Sequence, residues 1–215
     1  MFTCAGYPLR ELRLTLPIKG QATARVEYLA DDVITGQVDI RSTEGDRMVA
    51  DVYRSGKFVH TGRAILRSCG ALGFAAKAEH FQGLSIDALV NNAIGSVGIG
   101  RDRTVRGPSE VLEHWTRPAE PIASELNALS RRAGEGITWR TTLDGRVRFG
   151  AETWPTLADD VPAEILGEWA DERTVVVGTE RLFLLPGYVW RGIKIAQVEY
   201  EFKEDTGMRA TLWRL

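Results

Sequence analysis

The residue types that most often carry catalysis or bind metal ions are sparse in this chain. The three histidines, His60, His80 and His114, stand alone, with no second histidine or cysteine at ligand spacing. Cys69 would need an adjacent base and a lowered pKa to act as a nucleophile, and its sequence neighbours supply neither. Cys4 is the only other cysteine, so a disulfide framework is excluded. We therefore predict no metal site, a buried structural role for Cys69, and synthesis in a reducing cytoplasm.

Two acidic pairs and one glycine-rich stretch are the remaining candidates for chemistry. Asp31 with Asp32, and Asp159 with Asp160, could perform acid–base catalysis only if one carboxylate of a pair were buried. Both pairs stand beside turn residues, which favours solvated turns. The stretch 95–100 (GSVGIG) is similar to a phosphate-binding loop, but it follows a helical pattern rather than a strand. We interpret it as a connector, and predict no catalytic residue, no cofactor and no enzymatic activity.

The tryptophans are unevenly distributed. None occurs in the first 114 residues, so the two halves of the chain are built differently. An exposed group of tryptophans could form a sugar-binding platform or an assembly surface, whereas buried ones would cover the edges of a core. The six are Trp115, Trp139, Trp154, Trp169, Trp190 and Trp213.

Composition narrows the classes of protein to which this chain can belong. It has 215 residues, of which 44% are hydrophobic, an ordinary globular value that argues against extensive disorder. Lys plus Arg is 27 and Asp plus Glu is 29, so the net charge is −2 and a strongly basic nucleic-acid-binding surface is not expected. No apolar run approaches the roughly 20 residues of a membrane-spanning helix.

The first third of the chain predicts short strands. Leu12, Leu14 and Leu16 alternate with polar residues, and residues 22–28 do the same after a turn, which is typical of a hairpin. Turn residues, including a predicted turn at 55–56, separate the other candidates. Six strands at this spacing predict a small antiparallel barrel or sandwich; the remaining four are 37–40, 47–53, 57–66 and 72–78.

The middle of the chain predicts two helices and a hairpin. Ser85 can cap a helix that Gly95 ends, and a second helix is predicted over 121–133. Residues 137–142 and 146–150 predict a hairpin in which Gly145 has a positive φ in a type I′ turn. After a connector, strands are predicted again over 173–178, 182–185, 192–203 and 208–213. A bulge near residues 196–197 would keep both apolar sets of 192–203 on the core side.

Three segments together resemble a known group of proteins. They are 81–99 (an aromatic residue, a glycine, a helix and a glycine-rich loop), 112–147 (a helix followed by Trp-Arg and an Asp-Gly hairpin), and 185–213 (Leu-Pro-Gly followed by the closing strands). In this order they resemble the hub proteins of bacteriophage tail tips and baseplates, the late control D type family. The residues that carry this resemblance are Trp115, Trp139, Arg140, Asp144, Gly145, Pro186 and Gly187.

The resemblance implies an α+β, β-dominated fold with two small antiparallel β-barrel (tube-like) domains and a helix-containing insertion. It implies a first barrel over 1–80, a side domain over 81–136, and a second barrel over 137–215 with a connector over 154–168. Many hubs are longer and carry a C-terminal spike-binding or lytic extension. We expect those functions to reside in separate proteins here.

The function implied is that of a virion structural protein. A homotrimer would join the hexameric tail tube to distal tail and tip or spike proteins, and would line the channel through which genomic DNA passes without sequence-specific binding. Three copies of a two-barrel chain would match six tube subunits in a closed ring. The alternative is a tail-associated adaptor or a carbohydrate-binding module.

Overall fold

Strands from the two ends of the chain join one large sheet. The computed structural model describes residues 1–158, 161–170 and 173–215. Strands β1 to β6 are Phe2–Cys4, Tyr7–Pro17, Thr23–Tyr28, Gln37–Ser42, Arg47–Phe58 and Thr61–Arg67. Strands β7 to β11 are Glu79–Ser85, Arg101–Asp102, Val111–Arg117, Ile137–Thr141 and Val147–Ala151. Strands β12 to β16 are Ala163–Trp169, Thr174–Thr179, Val189–Trp190, Ile193–Lys203 and Gly207–Arg214. The two α-helices are α1, Ile86–Gly95, and α2, Ile122–Ala133.

The first six strands close into a barrel. Their order is β1-β4-β5-β6-β3-β2, and β2 pairs back with β1 to complete the ring. The predicted β2–β3 hairpin is confirmed, with Leu14 opposite Ala24. Leu12, Leu14 and Leu16 are all buried, so the period-two alternation of the sequence places one face of β2 in the core.

The sheet continues from the barrel into the C-terminal strands. β15 pairs with β2, and β16, β13 and β12 follow in that order, all antiparallel. The predicted bulge in β15 is confirmed, because the register shifts between Ile195 and Gln197. This shift lets both Ile195 and Val198 face the core. A single hydrophobic core therefore includes residues from both ends of the chain.

The middle of the chain forms a side domain with its own core. Ser85 caps α1 as predicted, since its Oγ accepts a hydrogen bond from the backbone N–H of Ala88 at 3.1 Å. α1 ends at Gly95, and α2 covers the second predicted helix. The two helices pack with a β7–β9 ribbon and a three-stranded sheet of order β10-β11-β8. Neither helix, within the described residues, has the length and apolarity needed to cross a bilayer.

Three strand or turn predictions were wrong. β5 runs straight through the predicted turn at 55–56, and the chain reverses instead at 59–60, where His60 adopts φ 57°. Residues 70–73 form a 3-10 helix rather than a strand, because Leu72 packs in the core of the side domain. Residues 182–185 are irregular, although Leu182 and Leu184 are buried against the barrel. The predicted connector 154–168 contains all of β12 except Trp169.

The β10–β11 hairpin is confirmed, but its turn and its partners differ from the predictions. Gly145 has φ 76°, whereas Asp144 has no positive φ, so the turn is not of type I′. Gly145 N–H donates to the Thr142 carbonyl, and Thr142 N–H donates to the Arg146 carbonyl. The hairpin pairs with β8 rather than with β12 to β16. The mostly β architecture with one closed barrel is thus observed, while a second barrel and the domain bounds 1–80, 81–136 and 137–215 stay predictions.

We expect Gly62→Ala to lower the free energy of unfolding by about 1–3 kcal/mol through overpacking. A Cβ at Gly62 would lie 2.1 Å from Cζ of the buried Tyr28, whose ring cannot move without disturbing the barrel. Urea unfolding followed by tryptophan fluorescence measures the change. Gly56→Ala, a β5 position with open space around a Cβ, is the matched control and should change stability by less than about 0.5 kcal/mol. Equal effects of the two substitutions would contradict the packing of Tyr28 on β6.

Candidate functional site

A buried ion pair brings together the last two segments of the sequence motif. Arg140 Nε donates to Glu152 Oε1 at 2.8 Å, and both side chains are 6% exposed. Gly187 packs directly against this ion pair, because a Cβ there would lie 2.5 Å from Glu152 Oε2 and 3.0 Å from an Arg140 nitrogen. Its φ of 82° also favours glycine. Of the motif residues, Arg140 and Gly187 therefore meet through Glu152, which sequence reasoning did not identify.

A second buried charge pair continues this cluster across β11 and β8. Arg148 donates to Asp102 Oδ2 at 2.7 Å, and its guanidinium also lies 3.7 Å from Glu152. Burial of Asp102 opposes its ionised form, but hydrogen bonds from Thr104 and Arg148 outweigh it, and the pKa of Asp102 lies below its usual value. Asp102 is therefore ionised at neutral pH, and the side chains of the cluster are paired with one another.

Backbone hydrogen bonds fasten the hairpin to the barrel. Gly20 N–H donates to the Trp139 carbonyl at 2.7 Å, and Thr141 N–H donates to the Gly20 carbonyl at 3.0 Å. Val49 N–H reaches the Leu143 carbonyl at 2.8 Å. The side domain is therefore anchored to the barrel at the turn between β2 and β3 and along β5. A groove of about 430 Å³ runs along this junction, and its lining includes Arg47, Asp144, Arg146, Pro186 and Tyr188. Pro186, Asp144 and Arg140 thus share one groove.

The tryptophans of the motif have structural partners. Trp139 is 2% exposed and its Nε1 donates to Asn127 at 3.0 Å, while Trp115 Nε1 donates to Glu125 at 3.1 Å. Glu125 also accepts from the buried Arg117 at 2.6 Å. All six tryptophans lie in the described part of the chain, and only Trp169 is exposed. Trp115, Trp139 and Trp190 supply core contacts, and the single exposed tryptophan does not form an aromatic platform.

The residues that the sequence singled out for chemistry are not assembled into a reactive constellation. Burial raises the pKa of Cys69 to about 11 and that of Cys4 to about 12, so both are protonated at neutral pH. Among the described residues, no three His, Cys, Asp or Glu side chains are placed to hold a metal ion. Asp31 and Asp32 are exposed, and Asp159 with Asp160 lies outside the described residues.

The outward face of the sheet carries many charges, and most are paired across strands. Arg13 lies 3.1 Å from Glu201 and 3.5 Å from Glu199. Arg209 Nε donates to Glu201 at 2.8 Å. Arg63 Nε donates to Glu27 at 2.7 Å on the neighbouring strands. Hydrogen bonds from Arg209, and then from Arg13, hold the pKa of Glu201 below its usual value, although partial burial opposes this. The outward face is therefore hydrophilic without being strongly basic.

The fold of this chain has clear counterparts among solved structures. No protein-family model matches the sequence, and no curated protein sequence matches it. The Escherichia coli c3393 protein, a type VI secretion component described as similar to the T4 tail proteins gp27 and gp5, superimposes with a TM-score of 0.69 at 11% identity. The superposition covers 100% of this chain and 77% of that one. The 215-residue chain therefore has the fold of phage-type tail proteins.

Two further tail proteins, one of them encoded by a prophage, support the same conclusion about the fold. The 43 kDa tail protein of prophage MuSo2 from Shewanella oneidensis gives a TM-score of 0.69 at 11% identity, over 100% of this chain and 96% of its own. The tail protein from Neisseria meningitidis MC58 gives 0.63 at 9% identity, over 98% and 94%. The likeness does not single out the late control D type family, which stays a prediction.

We expect Glu152→Gln to destabilise the protein by about 3–5 kcal/mol, because it leaves the buried charge of Arg140 without a counter-ion. Urea unfolding measures the loss. Glu110→Gln, which removes one partner of the exposed pair with Arg132, is the control and should cost less than about 1 kcal/mol. A small effect of Glu152→Gln would show that the Arg140 pair is solvated.

We expect Gly145→Val to cost about 1–3 kcal/mol, since valine is strained at φ 76°. A Cβ at this position would also lie 3.4 Å from the Val49 side chain. Gly95→Val, at a helix end with open space and no positive φ, is the control and should cost less than about 1 kcal/mol. A thermal melt that is unchanged in Gly145→Val would contradict the placement of the turn.

Proposed function

We propose that this protein is a structural component of a phage-type tail, in which a homotrimeric hub joins the hexameric tail tube to distal tail and tip or spike proteins. In this role it would be part of the virion, at the tail tip or baseplate, after synthesis in the host cytoplasm. The observation that carries the proposal is the superposition of nearly the whole chain on three tail or secretion-tail proteins with TM-scores of 0.63 to 0.69.

The outward face of the sheet supports a role in lining the DNA channel. A channel wall must be hydrophilic but must not bind phosphates tightly, because clustered unpaired arginines would retain the DNA electrostatically. On this face Arg13, Arg63 and Arg209 are each paired with a glutamate. Such a wall would let DNA pass without sequence-specific binding.

The side chains favour a role based on shape over a catalytic one. The cysteines are protonated at neutral pH, and the buried carboxylates Glu125 and Glu152 are paired with arginines. A carbohydrate-binding module is a weaker candidate, because Trp169 is the one exposed tryptophan of the six and stacking platforms need several aromatic faces. A tail-associated adaptor is the other alternative. It would have the same fold as a hub and would differ from it only in its position along the tail.

The oligomeric state and location test the proposal. Mass photometry and sedimentation velocity should give three times the 23.8 kDa mass of the chain. Electron microscopy of particles labelled with an antibody to the protein should place the label at the distal end of the tail. A strict monomer that is missing from particles would contradict the hub, whereas an oligomer labelled elsewhere on the tail would favour the adaptor.

A further inference from the structure

The sheet has two edges that no described strand covers, and they lie at opposite ends of one strand array. The array runs β5-β6-β3-β2-β15-β16-β13-β12. At one end, β4 pairs only with residues 47–51 of β5, so the outer edge of residues 53–58 has no strand partner among the described residues. At the other end, β12 pairs only with β13. Edges of this kind invite contact with another chain.

The first edge belongs to a projecting hairpin, residues 53–63, which we call the arm. Three large apolar side chains of the arm are exposed: Tyr53 at its base is 60% exposed, and Phe58 and Val59 at its tip are 57% and 83% exposed. Arg67 lies over the Tyr53 ring at 3.7 Å and Arg63 lies over the Phe58 ring at 5.0 Å, which holds both rings in place.

The charges of the arm are all positive. It contains Arg54, Lys57 and Arg63 and no acidic residue. Three carboxylates face it from neighbouring elements: Glu27, which pairs with Arg63, Glu11, which lines the groove beneath the arm, and the exposed Asp31, which lies 3.4 Å from His60. Arg54 and Lys57 have no carboxylate partner in the part of the chain that the structure describes. The arm therefore presents apolar side chains beside uncompensated positive charge.

The second edge has the complementary character. β12 reads AEILGEW and contains no basic residue. Glu168 is ion-paired with Arg214 of β16, which leaves Glu164 as the β12 carboxylate without a partner among the described residues. Ile165, Leu166 and Trp169 are 40%, 60% and 50% exposed. Together the arm and β12 hold six of the twelve exposed large hydrophobic side chains among the described residues. Concentrated exposed apolar surface marks interaction sites.

We propose that the arm of one copy of this chain packs against β12 of the next copy, and that this head-to-tail contact closes the ring. The inference rests on the proposed function, since it names the surfaces through which the hub assembles. A contact between different surfaces of identical subunits generates a closed ring when the rotation fits. Opposite charge at the two surfaces gives the contact its direction, because arm against arm or β12 against β12 would place like charges together.

Side chains, more than a continuous backbone ladder, make this contact. The register of β12 shifts between Ile165 and Gly167, so a bulge at Leu166 interrupts the row of backbone groups at the edge.

Charge reversal followed by charge exchange tests the contact in the full-length chain. The arm variant is Arg54→Glu with Lys57→Glu, and the β12 variant is Glu164→Lys, which leaves the pair of Glu168 with Arg214 intact. Each should raise the dissociation constant of the trimer by about tenfold or more, measured by sedimentation velocity, because like charges then face each other. The chain with all three substitutions should regain the wild-type dissociation constant within about threefold.

Controls separate this inference from folding and from the hub proposal. Arg103→Glu with Arg106→Glu reverses two exposed charges outside both surfaces and should leave the trimer intact. Thermal unfolding of the three-substitution chain monitors folding, and a folded chain that stays dissociated would overturn the inference. A trimer that survives both the arm variant and the β12 variant would overturn it while leaving the hub proposal standing. A wild-type chain that is monomeric at all concentrations would contradict the hub itself.

Discussion

The architecture depends on how one strand divides its backbone hydrogen bonds. β2 gives one edge to β3 over residues 9–15. Its other edge is split, because residues 7–8 pair with β1 and residues 11–17 pair with β15. The pairing with β1 closes the barrel, and the pairing with β15 extends the sheet to β12. A strand with an unsplit edge could do only one of these, so the length of β2 makes a closed barrel and an open array compatible in one chain.

Buried ion pairs hold the strands of the side domain in register with one another. A displaced buried charge loses its counter-ion and incurs a desolvation cost of several kcal/mol. Arg140 of β10 is paired with Glu152, which follows β11, and Arg148 of β11 is paired with Asp102 of β8, so a slip of β10 or β8 against β11 would separate a pair. Gly187 leaves room for the first pair and brings the C-terminal segment against it.

Features set by a few neighbouring residues were predictable from the sequence. The Ser85 cap, the stop at Gly95 and the β15 bulge each follow from side-chain types within one or two turns of chain. The alternation of Leu12, Leu14 and Leu16 fixed the buried face of β2 for the same reason. The reversal at His60 was missed, because a histidine in the left-handed region has no turn signature and the Ser-Gly pair before it has one.

Features set by distant partners could not be predicted. β12 exposes most of its residues on both faces, so it shows no alternation. The hairpin at 137–151 was recognised, but nothing local indicates that it pairs with β8 instead of the C-terminal strands. Arg140 and Gly187 were picked out as a pattern, whereas Glu152, which joins them, has no local signal. The arm has no covering strand because β4 ends before it, and no local pattern in residues 53–63 indicates where β4 ends.

The pairing of β2 with β15 has a consequence for the order of events during synthesis. Arg13 and its partner Glu201 are 188 residues apart in the chain. At about 5–20 residues per second, a ribosome needs roughly 10–40 s to produce β15 after β2. During that interval residues 11–17 emerge with one backbone edge uncovered and a leucine-rich face that only the first barrel can shelter. Early closure through β1 would limit the time for which this nascent segment can associate with neighbouring chains on the same polysome.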